Sequence, residues 1–248
     1  MNYFVGSLYG NYEGYLTIKE KLKLKKNDTL WIMGDVFDGN DANPEHCVQI
    51  VQDIAESPNI NLILGDHEYG HIMRYVMLTK KDGYEAWKNY LLSMDISGEA
   101  LVWFFENAMD PIEQDEVFNY LIAQCEVTRL IQIGGNYFYL VHGFPCMYET
   151  LTEWQVAVTS SNIQPGNYLK PILTDESLNE QEKQMLGKLK KNNTFVICSH
   201  QNIHEFTTSG NIYHKNGIFL LGEDIPNEQV PVLGIDAAGY FLNNIVYI

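Results

Sequence analysis

The chain has 248 residues, 46% of them hydrophobic, and a formal charge of −16. A field of that sign repels DNA, RNA and anionic membranes, and arginine occurs only at Arg74 and Arg129. No stretch approaches the roughly 18 apolar residues that cross a bilayer, and the scattered Cys47, Cys125, Cys146 and Cys198 indicate neither a disulfide framework nor a zinc knuckle.

The opening Met1-Asn2-Tyr3-Phe4-Val5-Gly6 reads as a first strand and lacks the basic and apolar regions of a signal peptide. A cytoplasmic protein is therefore expected. Three short apolar runs, Tyr3–Val5, Leu30–Met33 and Ile60–Leu64, each end in a glycine and a polar cluster. Segments with helical periodicity follow them, as in Ala42–Glu56 with Val48, Ile50, Val51 and Ile54 on one face. The lysines at 19, 21, 23, 25 and 26 fall at the end of the first such helix, where they face the negative end of its dipole. Strands alternating with helices predict βαβ units and a mainly parallel sheet.

From Tyr84 to Glu126 aromatic and aliphatic residues recur at helical spacing (Trp87, Leu91, Leu92; Trp103, Phe104; Val117, Phe118, Leu121, Ile122), predicting a helical insertion over about 84–126 whose aromatics serve packing. Strand signals return at Thr128–Ile133, and Gly134-Gly135-Asn136 turns the chain into Tyr137–Val141. An irregular stretch, Phe144–Asp175, leads to a polar helix near Leu178–Lys190. A strand at Thr194–Cys198, a hairpin around Asn216-Gly217 and strands at Val230–Ile235 and Tyr240–Ile248 complete the chain. These late strands predict a second sheet. No internal repeat or low-complexity linker divides the sequence, so one domain over 1–248 is expected.

In open α/β sheets functional residues collect just past the carboxyl ends of the strands. The predicted strand ends supply Ser7 and Tyr9, Asp35 and Asp38, Asp66, His67 and Glu68, His142, and Ser199 with His200. Any one of these alone is better read as an ordinary loop residue. Together they are the hard oxygen and nitrogen donors that a metal site gathers from rigid elements.

Five ordered motifs carry a resemblance to calcineurin-like metallophosphoesterases, in the branch holding phosphoprotein phosphatases and diadenosine tetraphosphatases. That family shows Gly-Asp-x-His-Gly, Gly-Asp-x-x-Asp-Arg-Gly, Gly-Asn-His-Glu, a His-Gly after a strand, and Gly-His-Thr. This chain reads Gly6-Ser7-Leu8-Tyr9-Gly10, Gly34-Asp35-Val36-Phe37-Asp38-Gly39, Gly65-Asp66-His67-Glu68, Val141-His142-Gly143 and Ser199-His200-Gln201. Gly234-Ile235-Asp236-Ala237-Ala238-Gly239 looks like the family's closing Ile-Asp-x-Gly segment. The resemblance implies an α/β fold, a two-sheet αββα sandwich, and hydrolysis of a phosphoester by metal-activated water. It implies that Asp35, Asp66, His142 and His200 hold a divalent ion such as Mn, Fe or Zn. His67, paired with Asp38, would protonate the leaving group, since a carboxylate on one ring nitrogen fixes the tautomer. The substrate would be a phosphorylated small molecule or a phosphoprotein.

The departures are as informative. The first motif has Ser7 and Tyr9 where the family has an aspartate and a histidine, Gly39 stands where its arginine would be, and Asp66 replaces its asparagine. Two divalent ions and two carboxylates leave about +2 to act on a phosphate, whereas one ion with Asp35 and Asp66 sums to about zero. One ion rather than two, and weak or altered turnover, are expected. The competing reading is a pseudophosphatase that binds a phosphorylated ligand or a protein without turning it over.

A third, remote reading comes from His67-Glu68-Tyr69-Gly70-His71, which matches the H-E-x-x-H of zinc peptidases. That motif needs a continuous helix, and here it follows a strand directly and contains Gly70, which weakens a helix by about 1 kcal/mol. The Gly6-x-x-x-Gly10-x-x-x-Gly14 spacing lacks the Gly-x-Gly opening of a dinucleotide site. Glu13 is read as a solvated residue of the first helix, and His46, His204 and His214 as histidines without a motif partner.

Overall fold

The computed structural model describes residues 1–39, 42–78, 99–143, 184, 187, 188, 192, 194–200, 212–215, 218–221, 232–235 and 241–242. Strands β1 (Asn2–Val5), β2 (Thr29–Ile32) and β3 (Ile60–Leu62) run parallel, with Asn2 opposite Thr29 and Leu30 opposite Ile60. A hairpin of β4 (Thr128–Ile133) and β5 (Asn136–Val141) follows, then β6 (Thr194–Cys198), β7 (Ile212–Lys215) and β8 (Ile218–Leu221). Strands β9 (Val232–Ile235) and β10 (Phe241–Leu242) return to the first sheet, β9 lying antiparallel to β1. The two mixed sheets have the orders β10-β9-β1-β2-β3 and β4-β5-β6-β8-β7.

Side chains that alternate along a strand point to opposite faces of its sheet. Phe4, Trp31, Met33, Ile63, Leu233 and Ile235 from the first sheet meet Phe138, Leu140, Ile197, Phe219 and Leu221 from the second, forming the core between them. Their neighbours Val5, Leu30, Ile32, Leu62 and Val232 face the helices instead. Helix α1 (Tyr12–Leu22) offers Tyr15 and Ile18 to that layer, and α2 (Pro44–Glu56) offers Val48, Ile50, Val51 and Ile54. Both helices start where their sequence says they should. Asn11 accepts from the Gly14 amide and Asn43 from the Glu45 amide, with Pro44 in the first turn.

Helix α3 (Asp66–Leu78) is the main surprise. The peptidase-like segment was expected to lie off a continuous helix, and instead the helix begins at Asp66 and runs straight through Gly70. Two forces outweigh the glycine's small penalty. Asp66 and Glu68 place negative charge in the first turn, favourable to the helix N-terminus. Burial of His71 and Ile72 on the inner face supplies the rest.

The predicted helical insertion contributes α4 (Glu99–Asn107) and α5 (Pro111–Gln124), whose Leu101, Phe105, Val117, Phe118 and Leu121 join the helix-side core. Two residues counted as packing face outward: Trp103 is 62% exposed and Ile122 is 48% exposed. Asp110 caps α5 ahead of Pro111, so the helix starts there regardless of the apolar pattern. Trp87, Leu91 and Leu92, the irregular stretch 144–175, the helix expected near 178–190, the turn at 216–217, the closing 236–240 and the strand residues beyond 242 lie outside the described residues. Among the described residues, no helix is long and apolar enough to cross a membrane.

Candidate metal centre

The strands converge so that four loops meet. Asp35 follows β2, Asp66 opens α3, His142 follows β5 and His200 follows β6. Backbone bonds lock these ends together: Leu8 and Tyr9 donate to the Asp35 carbonyl at 2.9 and 2.8 Å, and Ser199 donates to the His142 carbonyl at 2.8 Å. Asp35, Asp66, His142 and His200 each offer a ligand atom, all within 4.8 Å of one another. Nε2 of His142 lies 3.1 Å from Asp35 Oδ2 and 3.1 Å from Asp66 Oδ1, and His200 Nδ1 lies 3.2 Å from Asp66 Oδ1.

The donor set fits a divalent cation. His142 Nδ1 sits 2.6 Å from the Met33 carbonyl, which can only accept. That nitrogen therefore donates, and in the neutral ring Nε2 presents a bare lone pair to the two carboxylates. Holding a ligand imidazole by its far nitrogen is how proteins orient metal histidines. Asp35 and His142 are fully buried and Asp66 is 4% exposed, a costly place for carboxylates without compensating charge. Burial by itself would lower the His142 pKa, but Asp35 and Asp66 hold it well above the usual range. Burial would raise Asp66, yet His142 and His200 keep it well below. Protons and a cation would thus compete for the same cluster, and a cation bound there would displace protons.

Two glycines make room. Gly34 has φ +97°, and a Cβ there would meet His142 Nδ1 at 2.3 Å. A Cβ on Gly65 would meet Asp35 Oδ1 at 2.0 Å. The glycine before each acidic ligand is thus a steric requirement. Tyr9, Asp35, Asp38 and His200 all carry positive φ, at +46°, +50°, +62° and +60°. Among described non-glycine residues only Lys23, which ends α1, shares that conformation.

Glu68 braces this backbone. Fully buried, it accepts from the amides of Asp35 at 2.9 Å, Phe37 at 2.8 Å and Gly65 at 2.9 Å. Burial, then the nearby Asp35 charge, lifts its pKa to about 7 against the Phe37 and Gly65 amides, which favour the carboxylate. With its oxygens committed to amides, Glu68 is not aimed at a water as a peptidase base would be.

Beside the cluster, Asp38 Oδ2 lies 2.9 Å from His67 Nδ1 and 2.9 Å from His71 Nε2. Burial would raise Asp38, but the two imidazoles hold it far below the usual carboxylate range. Burial would lower His67, while Asp35, then Asp38 and Asp66, raise it to about 10. The Tyr9 hydroxyl donates to Asp35 Oδ2 at 3.2 Å, and its ring meets His67 edge-on at 5.5 Å. Ser7 Oγ lies 3.5 Å from the same Asp35 oxygen and 3.0 Å from Ser199 Oγ.

The eight residues given metal, proton-donor or first-motif positions in the sequence therefore lie in one region. Glu68 was named at a strand end and, with His71, in the H-E-x-x-H match, but neither was given the part it plays here; only the i, i+4 spacing of His67 and His71 hinted that both share a helix face. Glu13 is exposed in the first turn of α1, and His46 packs against the Tyr12 ring at 5.3 Å. The described cysteines, Cys47, Cys125 and Cys198, are free thiols.

Two sheets stacked with helices and a metal-suited cluster at their strand ends make this an α/β metallophosphoesterase fold. The chain belongs to the calcineurin-like phosphoesterase family, whose model matches residues 3–234. No curated protein matches it. Among solved structures it is similar to a protein serine/threonine phosphatase from Saccharomyces cerevisiae, at 12% identity and TM-score 0.45 over 89% of this chain and 66% of that one. The chain thus spans just under two thirds of the yeast protein. It is also similar to a hypothetical protein from Pyrococcus horikoshii OT3 (12% identity, TM-score 0.49, 100% of this chain and 87% of that one). A metallophosphoesterase from Sphaerobacter thermophilus gives 12% identity and TM-score 0.42 over 96% and 84% of the two chains.

Proposed function

We propose that this protein hydrolyses a phosphoester in a phosphorylated small molecule or phosphoprotein, with one divalent cation held by Asp35, Asp66, His142 and His200. The carrying observation is four ligand atoms within 4.8 Å of one another, beside a histidine held by a carboxylate. When bound, a cation such as Mn, Fe or Zn acidifies water and polarises a phosphoryl oxygen. Asp38 accepts from Nδ1–H of His67, and the ring, held protonated by the carboxylates around it, would give its Nε2 proton to the leaving oxygen and be left neutral with its proton on Nδ1.

The single cation follows from Tyr9 and Ser7. Both hydroxyls approach Asp35 Oδ2, at the positions where the family's pattern has an aspartate and a histidine that would hold a second ion. Neutral hydroxyls there replace an anionic and an imidazole ligand, so turnover is slow. The same contact favours a second reading, a pseudophosphatase that binds a phosphorylated ligand without cleaving it. Both arginines are committed to ion pairs, Arg74 with Glu106 and Arg129 with Glu126. That supports a singly charged phosphoester or a phosphodiester over a polyphosphate. The three described free thiols support a cytoplasmic location.

Metal-depleted protein titrated with Mn should bind one ion per chain and hydrolyse p-nitrophenyl phosphate slowly, with both properties lost in His142→Ala. Two tightly held ions would overturn the single-cation claim. One bound ion with no turnover of p-nitrophenyl phosphate or its bis-ester would transfer the case to the pseudophosphatase.

A further inference from the structure

We infer that His71 is a positioning residue, whose Nε2–H fixes the Asp38 oxygen that in turn holds His67. The catalytic part of this rests on the function proposed above; the positioning part does not. His67 and His71 are four residues apart on α3, so both imidazoles reach one side of the helix. Each lies 2.9 Å from the same oxygen, Oδ2 of Asp38. A carboxylate accepts and does not donate, so both rings present N–H to it.

The setting of His71 says why a histidine is there. It is fully buried, with its ring edge-on to Phe37 at 5.5 Å and near Phe105 at 5.9 Å. Its Nδ1 has no hydrogen-bond partner among the described residues. A residue wanted only for packing in this aromatic slot would be apolar, since a buried nitrogen without a partner is unfavourable. The polar edge turned toward Asp38 is the feature an apolar residue could not supply. Asp38 itself stands on left-handed backbone at φ +62° beside Gly39 at φ +114°. With only His67 bonded to it, its carboxylate could rotate; a second donor from one turn further along α3 removes that freedom. His67 then keeps one tautomer and one ring orientation. The H-E-x-x-H spacing thus reads as two imidazoles sharing a carboxylate, where a peptidase would have them share zinc.

The test compares His71→Gln, whose amide nitrogen reaches about as far as Nε2, with His71→Leu, which fills the slot without a donor. In 15N-histidine-labelled, metal-free protein, the His67 Nδ1–H resonance should persist in the wild type and His71→Gln and be lost to solvent exchange in His71→Leu. This arm needs no turnover. With Mn, kcat of His71→Leu should fall about tenfold further on phenyl phosphate than on p-nitrophenyl phosphate, because a poor leaving group depends more on its proton donor. KM and Mn content should stay unchanged, and His71→Gln should recover the wild-type ratio. If His71→Leu does not fold, His71→Asn, whose amide is too short to reach Oδ2, takes its place. Retention of the His67 resonance in the donor-free variant overturns the inference. A wild type inactive on both esters but showing the predicted resonances would sink the hydrolase reading and leave the positioning role standing.

Discussion

Restoring the family's first motif with Ser7→Asp and Tyr9→His is the perturbation that most directly probes the charge at this site. Ser7 Oγ lies 3.5 Å from Asp35 Oδ2, and both residues are buried. A carboxylate placed at that separation repels Asp35 by about 5 kcal/mol at an effective dielectric of about 20. Without metal, the double variant should therefore be strongly destabilised. For a chain of this size each kcal/mol moves Tm by roughly 2–4 °C, so the drop in EDTA should be about 10–20 °C. Replacing the Tyr9 phenol with an imidazole removes the hydroxyl bonded to Asp35 and adds a ligand, so Mn should bring Tm back and raise the ion count from one to two. Ser7→Asp alone keeps the phenol in place, and Mn should rescue it far less. Thermal melts with and without Mn, metal analysis per chain and p-nitrophenyl phosphate turnover measure all three. A double variant that melts within a few degrees of the wild type in EDTA and still holds one ion would refute the reasoning.

Three further outcomes follow from local geometry. Gly65→Ala places a Cβ 2.0 Å from Asp35 Oδ1 and should weaken Mn binding by about 10–100-fold in a calorimetric titration, the effect of disturbing a ligand's support, while far-ultraviolet circular dichroism stays native. Glu68→Gln turns an amide NH2 toward at least one of three backbone donors and should cost about 1–3 kcal/mol for each donor orphaned, read by urea denaturation of the metal-free protein. Tyr15 has its pKa raised by burial and by its bond to Asp53. A raised folded-state pKa gives stability that is complete below the unfolded value of about 10 and lost as pH climbs past it. Tyr15→Phe should thus lower stability at pH 8 by about 1 kcal/mol yet flatten its decline above pH 10; equal slopes in the two proteins would contradict this.

What the sequence made readable was the frame. Apolar runs ending in glycine located β1, β2 and β3, because parallel strands covered on both faces leave little room for polar residues. The bounds Thr128–Ile133 and Thr194–Cys198 agree with β4 and β6 residue for residue. The four cluster residues were nameable because each follows a strand, and strand ends are where the chain can turn side chains toward a shared point. The helix at Asp66 was misjudged because glycine's intrinsic preference was weighed without the burial of His71 and Ile72 that follow it. His71 was named only as half of a peptidase-like motif, because its partner Asp38 is 33 residues away and no local pattern shows that contact.

That long-range contact belongs with a second one, and together they explain how the site keeps its shape. Tyr9, Asp35, Asp38 and His200 all occupy backbone that L-residues adopt rarely, each at a cost of about 1–3 kcal/mol. Such a cluster relaxes unless its surroundings hold it. Glu68 does so from within α3, taking amides from the loop after β2 and from Gly65 after β3. One turn along the same helix, His71 takes hold of Asp38. Helix α3 thus grips the β2 loop at two points through a buried carboxylate and a buried imidazole, and it carries Asp66 and His67 on its own first turn. Helix α3 therefore sets Asp35, Asp38, Asp66 and His67 relative to one another, which orders the acidic half of the candidate cluster and the His67–Asp38 pair through one rigid element.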